Sequence, residues 1–200
     1  MIVMDDFLPA SQADELESLL TGYDFQWYFL NFGTCSKQDI ETHPEYGCND
    51  RPQFSHMLWH YQNKGISNYF AKFKPLIDAL EEKTGKRFAS QLVRMKANMV
   101  MQDATVGVDD HHFPHPDLKT PAETLLYYAN DADGDTFLFE ERDFTDEPLK
   151  LAHRISPKKN RAILFRSDRL HAGASPRAAK YRTVVNVLFD KQAEMEGVAA

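Results

Sequence analysis

A histidine and an aspartate two residues apart are the first side chains in this sequence that could do chemistry together. They are His115 and Asp117, in the segment HHFPHPD at residues 111–117. On an extended strand, residues i and i+2 point to the same side, so an imidazole and a carboxylate can reach one metal ion. Pro116 between them has no N–H, which is typical of the end or edge of a strand. The pair predicts part of a metal site at a strand end.

A third ligand must come from elsewhere in the chain, and His171 is the best candidate. It follows an apolar stretch at residues 162–165, which we interpret as a buried strand, and a turn at residues 167–169. Two histidines and one carboxylate, with open positions left on the ion, are typical of non-haem Fe(II) oxygenases. Zinc accepts the same ligands, so the ligand types alone leave the choice between iron and zinc open.

A single arginine adds a second chemical feature to this metal site. Arg182 follows His171 by eleven residues and opens the stretch RTVVNVLF, residues 182–189. In a regular strand, Arg182 shares a face with Val184 and Asn186. A guanidinium on an otherwise apolar strand needs an anionic partner, because burying it unpaired is costly. A dicarboxylate co-substrate would supply that partner, since arginine suits a carboxylate bidentately.

Other interpretations of these residue types stay open. A His-Pro-Asp triplet also occurs in J-domain co-chaperones, in a loop between two helices, whereas predicted strands flank it here. His111 and His112 have no carboxylate two residues on, so we expect them in a solvated loop or at the rim of a site. Three other histidines are expected to be structural and three arginines to form surface ion pairs; these are His56, His60, His153, Arg161, Arg166 and Arg169.

The elements that must position these residues begin with a mainly helical part, at about residues 1–87. We predict a short strand at Ile2–Met4, followed by a helix that opens at Ser11. Ser11 and Asp14 resemble the two partners of a capping box. The apolar face of this helix is formed by Ala13, Leu16, Leu19 and Leu20.

A second helical pattern runs from Tyr69 to Leu80, with apolar residues along one stripe. Pro75 predicts a kink or break in this pattern, because proline lacks the N–H of a helix interior. Gly85 predicts its end. The apolar residues of the segment 27–62 show no regular spacing, and we interpret this segment as extended segments and loops.

Short apolar or alternating stretches, separated by turn residues, fill about residues 88–190. Their regular spacing predicts a sandwich or barrel, and helices followed by strands predict an α+β fold with the helices packed on one sheet. Tyr127 and Tyr128 alternate faces, so only one of them can point into the barrel. The predicted strands are Gln91–Met101, Glu123–Ala129, Thr136–Glu140, Leu149–Ile155, Arg161–Arg166 and Tyr181–Phe189.

Length and charge limit the kinds of protein that this chain can be. Its 200 residues suit one domain, at residues 1–200. The net charge of −7 and the lack of a basic run disfavour nucleic acid as a partner. The first residues show no signal or membrane span, so we expect a cytoplasmic protein without membrane association. We expect reduced thiols at Cys35 and Cys48, with a disulfide as the alternative. Monomer and homodimer are both open.

Five segments resemble the 2-oxoglutarate- and Fe(II)-dependent dioxygenases, and in particular their prolyl 4-hydroxylase-like branch. The order H-x-D, a distant His, and an Arg about ten residues later is the signature of that superfamily. The segments that resemble the branch are IVMDDFLP (residues 2–9), LLYYAND (125–131), GDTFLF (134–139), NRAILFRSDRLHAG (160–173) and YRTVVNVLFD (181–190).

The resemblance implies a double-stranded β-helix, or jelly roll, flanked by N-terminal helices. It implies that His115, Asp117 and His171 bind Fe(II), and that Arg182 pairs with the far carboxylate of 2-oxoglutarate. Tyr128 would donate a hydrogen bond to the same carboxylate. O₂ would be the second co-substrate, and ascorbate is a candidate further cofactor.

The sequence also departs from the branch. Its members often carry a tyrosine on the strand before H-x-D, whereas residues 93–101 contain none. Asn98 is our candidate for a substitute polar contact to 2-oxoglutarate. The Gly-Gly pair of the branch is Gly134-Asp135 here, which we expect to alter a turn and not the chemistry.

The resemblance implies hydroxylation of a substrate C–H bond, with succinate and CO₂ as co-products. A peptidyl proline or a related amino-acid side chain is the first expectation for the substrate. A small molecule or a nucleobase is an alternative, although nucleic-acid demethylases of the superfamily usually carry a second arginine after the one at Arg182. A metal-binding jelly roll without turnover is the alternative from another class. We expect residues 31–62 and 103–114 to form the substrate rim.

Overall fold

Two antiparallel sheets and a few helices make up the protein. The structure is a computed structural model that describes residues 1–47, 50–62, 65–120 and 122–191. Within these residues the strands are β1 (Ile2–Met4), β2 (Tyr28–Leu30), β3 (Gln53–His60), β4 (Gly65–Ile66), β5 (Leu92–Met101), β6 (Glu123–Tyr128), β7 (Thr136–Phe139), β8 (Leu151–Ile155), β9 (Arg161–Arg166), β10 (His171–Gly173) and β11 (Tyr181–Phe189). The helices are α1 (Ala10–Thr21), α2 (Lys37–Thr42), α3 (Pro44–Gly47), α4 (Phe70–Phe73) and α5 (Pro75–Thr84), with a 3₁₀ turn at Ala89–Gln91.

The larger sheet contains eight strands, in the order β1-β9-β6-β11-β5-β3-β2, with β4 paired to β3. The smaller sheet has the order β10-β7-β8. A further bridge joins His115 to His171, and each residue donates its N–H to the other's carbonyl, at 3.0 and 3.1 Å. The H-x-D segment therefore lies beside β10, as an additional edge of the smaller sheet.

The outer face of the larger sheet carries the helices. One apolar cluster joins α1 and α5 to side chains of β5, β6 and β11. The alternation of a strand explains this, since Leu125 and Tyr127 of β6 face the helices while Leu126 and Tyr128 face the smaller sheet. The second cluster fills the space between the two sheets, and it includes Tyr128, Leu138 and Val184.

Most of the predicted elements are confirmed. The strands β1, β9 and β11 have the predicted bounds, and β5, β6, β7 and β8 differ by one or two residues at their ends. The predicted break at Pro75 is confirmed, because Pro75 is the first residue of α5 and Lys74 separates it from α4. Gly85 ends α5 in the left-handed conformation, at φ 66°, which glycine adopts without a steric cost.

Two predictions in the N-terminal part are wrong. Helix α1 begins at Ala10 with Pro9 as its N-cap, and no side chain caps it, so Ser11 and Asp14 do not form a capping box. Residues 27–62 contain the expected extended segments, as strands β2 and β3, but also two short helices, α2 and α3, which were not predicted. Since β3 is part of the larger sheet, residues 53–60 do not belong to a rim loop.

Two remaining observations concern the cysteines and the membrane. Cys35 is a free thiol, in agreement with the expected reduced form. Cys48 lies outside the described residues. Over the described residues, each helix is too short or too polar to cross a bilayer.

Candidate metal centre

Three segments bring the predicted metal ligands together. The H-x-D segment is held against β10 by the two hydrogen bonds between His115 and His171. The backbone N–H of Asp117 donates to the carbonyl of Ser167 at 2.9 Å, which fixes the end of that segment. One ligand atom from each of His115, Asp117 and His171 lies within 4.8 Å of the other two. The structure therefore places the three side chains where they could share one ion.

The two imidazoles are oriented by backbone carbonyls. Nδ1 of His115 lies 3.2 Å from the carbonyl of Phe113, and Nδ1 of His171 lies 3.0 Å from that of Arg169. A carbonyl only accepts, so each Nδ1 carries a proton, and in the neutral form of either ring Nε2 presents the lone pair. A hydrogen bond of this kind commonly orients metal-ligating histidines. Both imidazoles are thus arranged to bind a cation through Nε2.

The carboxylate of Asp117 is buried, and polar groups surround it. Its side chain is 3% exposed, and Oδ2 lies 3.5 Å from Nε2 of His171. Thr124 donates to Oδ2 at 2.9 Å, and Asn186 donates to it at 3.1 Å. Arg94 donates from Nη2 to Oδ1 at 2.9 Å. Three donors from three different segments, Arg94, Thr124 and Asn186, therefore fix this carboxylate.

The protonation states suit a divalent metal. Burial, and then the nearby His171, lower the pKa of His115 to about 4, so its imidazole is neutral near neutral pH. Burial alone would raise the pKa of Asp117, but His171, Arg94 and His115 lower it to about 2. A neutral imidazole and an ionised carboxylate are the forms that bind metals.

Arg182 lies in the same cavity, and its guanidinium is buried. It donates from Nη2 to Oγ1 of Thr136 at 2.7 Å, and its buried Nε has no hydrogen-bond partner in the part of the chain that the structure describes. Its guanidinium carbon lies 5.6 Å from the ring centre of Tyr128. Among the described residues it forms no ion pair, and the nearby Asp135 pairs with Arg154 instead. Burial of this guanidinium without a counter-charge is unfavourable, so an anionic ligand would stabilise it.

Tyr128 and Asn98 lie near Arg182, as polar groups around the same space. The hydroxyl of Tyr128 donates to Oγ1 of Thr136 at 2.8 Å. Burial raises the pKa of Tyr128, so its hydroxyl keeps the proton. Asn98 lines the cavity, and its Oδ1 is buried without a partner. The cavity measures about 270 Å³ and also contains the three candidate ligands and Arg182.

Several solved structures are similar to this chain in their architecture. An oxidoreductase of the 2OG-Fe(II) oxygenase family from Burkholderia pseudomallei is similar over 94% of this chain and 84% of its own, at 10% identity and a TM-score of 0.61. HygX from Streptomyces hygroscopicus, solved with nickel and 2-oxoglutarate bound, is similar over 94% and 81%, at 10% identity and 0.59. A prolyl hydroxylase from Trichoplax adhaerens, in complex with a hypoxia-inducible-factor peptide, is similar over 100% and 86%, at 14% identity and 0.58.

The chain has the fold of the 2OG-Fe(II) oxygenases. No protein-family model and no curated protein matches its sequence. The structural likeness at this low identity concerns the fold alone. The chemistry of the protein depends on the side chains that line its own cavity.

The sequence did not identify several polar residues that line the site. Along β5, Arg94, Lys96 and Asn98 alternate with Val93 and other buried apolar residues, and all three line the cavity. Of these three, the sequence had indicated only Asn98. That alternation was a detectable signal, because three polar side chains on one face of a long strand need a polar environment. Thr124 and Thr136 had no comparable signal, since a threonine is common in any strand.

His112 is buried and lines the cavity, so the first of its two expected locations, a solvated loop, is wrong. Its Nε2 lies 3.1 Å from Oγ of Ser175, and its N–H donates to the carbonyl of Gly173 at 2.8 Å. Neither His111 nor His112 belongs to the group that could hold a metal among the described residues. His56 is structural, as expected, since its ring nitrogens contact Gln26 and Ser67.

Proposed function

We propose that this protein is a 2-oxoglutarate- and Fe(II)-dependent dioxygenase that hydroxylates a C–H bond. The observation that carries the proposal is the presence, in one cavity, of a His-Asp-His group and of a buried arginine that has no anionic partner among the described residues. A metal site alone would also suit a zinc protein, and Arg182 alone would suit many anions. Together they fit a metal with a dicarboxylate co-substrate.

We further propose that the two sheets form a double-stranded β-helix, or jelly roll, and that residues 1–200 make a single domain. Every strand pair in the described residues is antiparallel, and the H-x-D segment lies beside the three strands of the smaller sheet as a fourth extended segment. The cavity lies between the two sheets, where the strand alternation directs Arg182 and Asn186 inward.

His115, Asp117 and His171 would hold the metal. Their donor set, two imidazoles and one carboxylate, fits Fe(II), and three protein ligands leave room for a co-substrate and O₂. When bound, Fe(II) would supply the activation of O₂ that oxidises 2-oxoglutarate and the substrate. Zn(II) fits the same donors, so the metal has to be identified by measurement.

Arg182 would bind the far carboxylate of 2-oxoglutarate. Thr136 orients its guanidinium, and the protonated hydroxyl of Tyr128 lies beside the same threonine. The buried Nε of Arg182 would gain a partner from a carboxylate, which removes the cost of leaving that donor unsatisfied. Asn98 has an amide that could also turn toward the co-substrate.

For the substrate, we propose a peptidyl proline or a related amino-acid side chain. The support is that the similar Trichoplax adhaerens protein is a prolyl hydroxylase in complex with a peptide. A small molecule is the second candidate, and the cavity of about 270 Å³ favours it, because that volume lies just below the usual range of about 300–1,000 Å³ for ligand pockets.

Turnover tests the proposal. The purified protein is incubated with Fe(II), ascorbate, 2-oxoglutarate and a panel of proline-containing peptides and small acids, and succinate and substrate mass are measured. We expect 2-oxoglutarate-dependent succinate and a product heavier by one oxygen atom. No succinate with any member of the panel, together with no binding of 2-oxoglutarate, would contradict the proposed activity.

A further inference from the structure

One strand of the site carries two cations that the proposed co-substrate does not use. Arg94 and Lys96 lie on β5 and line the cavity, on the same face as Asn98. Arg94 donates to Asp117 and to Oδ1 of Asn186, at 2.9 and 3.2 Å. Lys96 has no hydrogen bond or ion pair with any of the described residues. A half-buried ammonium without an anionic partner is unusual, because burial disfavours the charged form.

The register of the sheet separates Lys96 from the proposed 2-oxoglutarate anchor. On the neighbouring strand β11, Arg182 lies opposite Val100, and Asn186 lies opposite Lys96. Four residues of strand separate Arg182 from Asn186, which corresponds to about 13 Å. Arg182 and Lys96 therefore lie at different ends of the cavity. The metal-ligating group is on the Lys96 side, since Asn186 donates to Asp117 at 3.1 Å.

The charges that line the cavity do not balance. Among its described lining residues, three are cations, Arg94, Lys96 and Arg182, and Asp117 is the one carboxylate. Fe(II) and 2-oxoglutarate carry equal and opposite charges, so binding both of them would leave the positive surplus unchanged. A buried charge imbalance of this kind is relieved by an anionic ligand.

The pKa of Lys96 reflects the same environment. Burial, and then the charge of Arg94, lower it from 10.5 to about 8, while Asp117 opposes the shift. The amine therefore remains mostly protonated near neutral pH, without a counter-charge of its own.

We propose that Lys96, with Arg94 beside it, forms a subsite for a carboxylate of the substrate. This inference rests on the proposed function and specifies its substrate class. The substrate would be an acid, either a free amino or organic acid or a peptide with an acidic side chain close to the oxidised carbon. A carboxylate fits better than a phosphate, because the cavity of about 270 Å³ also has to admit 2-oxoglutarate.

Lys96 would make the direct contact, and Arg94 would add its charge while it positions Asp117. The ammonium is a compact point charge with three donors, so it can accept a carboxylate from several directions. Removal of this charge should weaken acid binding by about tenfold or more, where a factor of ten corresponds to ~1.4 kcal/mol.

The test uses the whole protein loaded with Zn(II) and 2-oxoglutarate, so that binding is measured without turnover. The probes are N-acetylglycine and its neutral amide, and a proline–aspartate dipeptide amide with its proline–asparagine counterpart. Each is titrated by NMR into the wild type, Lys96→Gln and Lys96→Arg. We expect at least one acid to bind the wild type more tightly than its amide, Lys96→Gln to abolish that preference, and Lys96→Arg to retain it. The acid that binds distinguishes a free acid from an acidic peptide.

Two results would overturn the subsite. One is equal affinity of each acid and its amide for the wild type, or tighter binding of inorganic phosphate. The other is a loss of 2-oxoglutarate affinity in Lys96→Gln with acid binding unchanged, which would assign Lys96 to the near carboxylate of the co-substrate. The affinity for 2-oxoglutarate is measured first in the same samples. Its absence in the wild type would contradict the proposed function itself, and not only the subsite.

Discussion

Nη2 of Arg94 donates to Oδ1 of Asp117 at 2.9 Å, and this contact links β5 to the H-x-D segment. The carboxylate keeps Oδ2 directed to Thr124, Asn186 and His171. Arg94 thus acts on the proposed metal centre through Asp117, and it is a positioning residue and not a ligand. Neighbours that orient a ligating carboxylate commonly affect metal affinity nearly as strongly as the ligands do.

We predict that Arg94→Gln weakens metal binding by about 10- to 100-fold, the usual effect of removing such a neighbour. The charged hydrogen bond that fixes Asp117 would be lost, while all three proposed ligands would remain. Metal affinity is measured by competition with a chelator for Zn(II) and Fe(II). Arg161→Gln is the matched control, because Arg161 pairs with Asp5 at the surface. Equal metal affinities in the two variants would contradict the role of Arg94.

Arg182→Ala should remove most of the affinity for 2-oxoglutarate and leave metal binding in place. A buried charge-assisted pair costs about 3–5 kcal/mol when one partner is removed, so the KM should rise by two orders of magnitude or more. In Zn(II)-loaded protein, 2-oxoglutarate should raise the Tm of the wild type and not of the variant. The exposed Arg177 offers a control through Arg177→Ala. An unchanged KM in Arg182→Ala would place the anchor elsewhere.

Thr136 offers a finer test, because its hydroxyl meets both Arg182 and Tyr128, at 2.7 and 2.8 Å. Thr136→Val keeps the shape and removes both contacts, so we expect about tenfold weaker 2-oxoglutarate binding, in line with the loss of a hydrogen bond to a charged group. Tyr128→Phe removes one of these contacts, and its effect should be smaller unless the hydroxyl also contacts the co-substrate. Isothermal titration measures both. A wild-type affinity in Thr136→Val would show that Arg182 needs no such orientation.

The binding of an acidic substrate should depend on pH through Lys96. The amine is charged below its pKa of about 8, so affinity should be constant at lower pH and fall as pH rises through that value. We expect binding about tenfold weaker at about pH 9 than at about pH 7, since one proton is required. The groups that face Lys96 are Arg94, Asp117 and His115 by charge, and Met57 and Asn186 across the neighbouring strands. Lys96→Arg should give a flat profile, and a wild-type profile without this decline would contradict the prediction.

The sequence alone predicted the strands that are regular and buried. The alternation along β5, β6 and β11 continues over six to ten residues, so each of these strands could be recognised without knowledge of its neighbours. The bounds of strand β3 were not predicted, because Met57 is exposed, and a register irregularity between Met57 and Trp59 interrupts its pairing with β5.

The Gly134-Asp135 pair shows how a local motif can be explained once packing is known. A Cβ at Gly134 would lie 2.4 Å from the carbonyl oxygen of Ala174, so the first glycine is required by a close backbone approach. Asp135 instead pairs with Arg154, at 2.5 Å. The departure from Gly-Gly therefore falls on the position that tolerates a side chain.

The partners of the polar residues around the site could not be predicted, because they come from distant segments. Arg94 meets an aspartate 23 residues further along the chain, and Ser175 meets His112 from 63 residues away. Spacing along the sequence carries no information about such pairs, whereas the two-residue spacing of His115 and Asp117 does. This difference explains why the candidate ligands could be predicted from the sequence and the partners around them could not.

In the proposed enzyme, His115, Asp117 and His171 hold Fe(II) within reach of a 2-oxoglutarate molecule that Arg182 anchors. The most direct test is anaerobic titration of the protein with Fe(II) and 2-oxoglutarate, followed by visible absorption. We predict the charge-transfer band of an Fe(II)–2-oxoglutarate chelate at one equivalent of each, and its loss in His115→Ala, Asp117→Ala and His171→Ala. A wild type that binds Fe(II) but develops no such band, or a variant of the triad that retains it, would contradict this account.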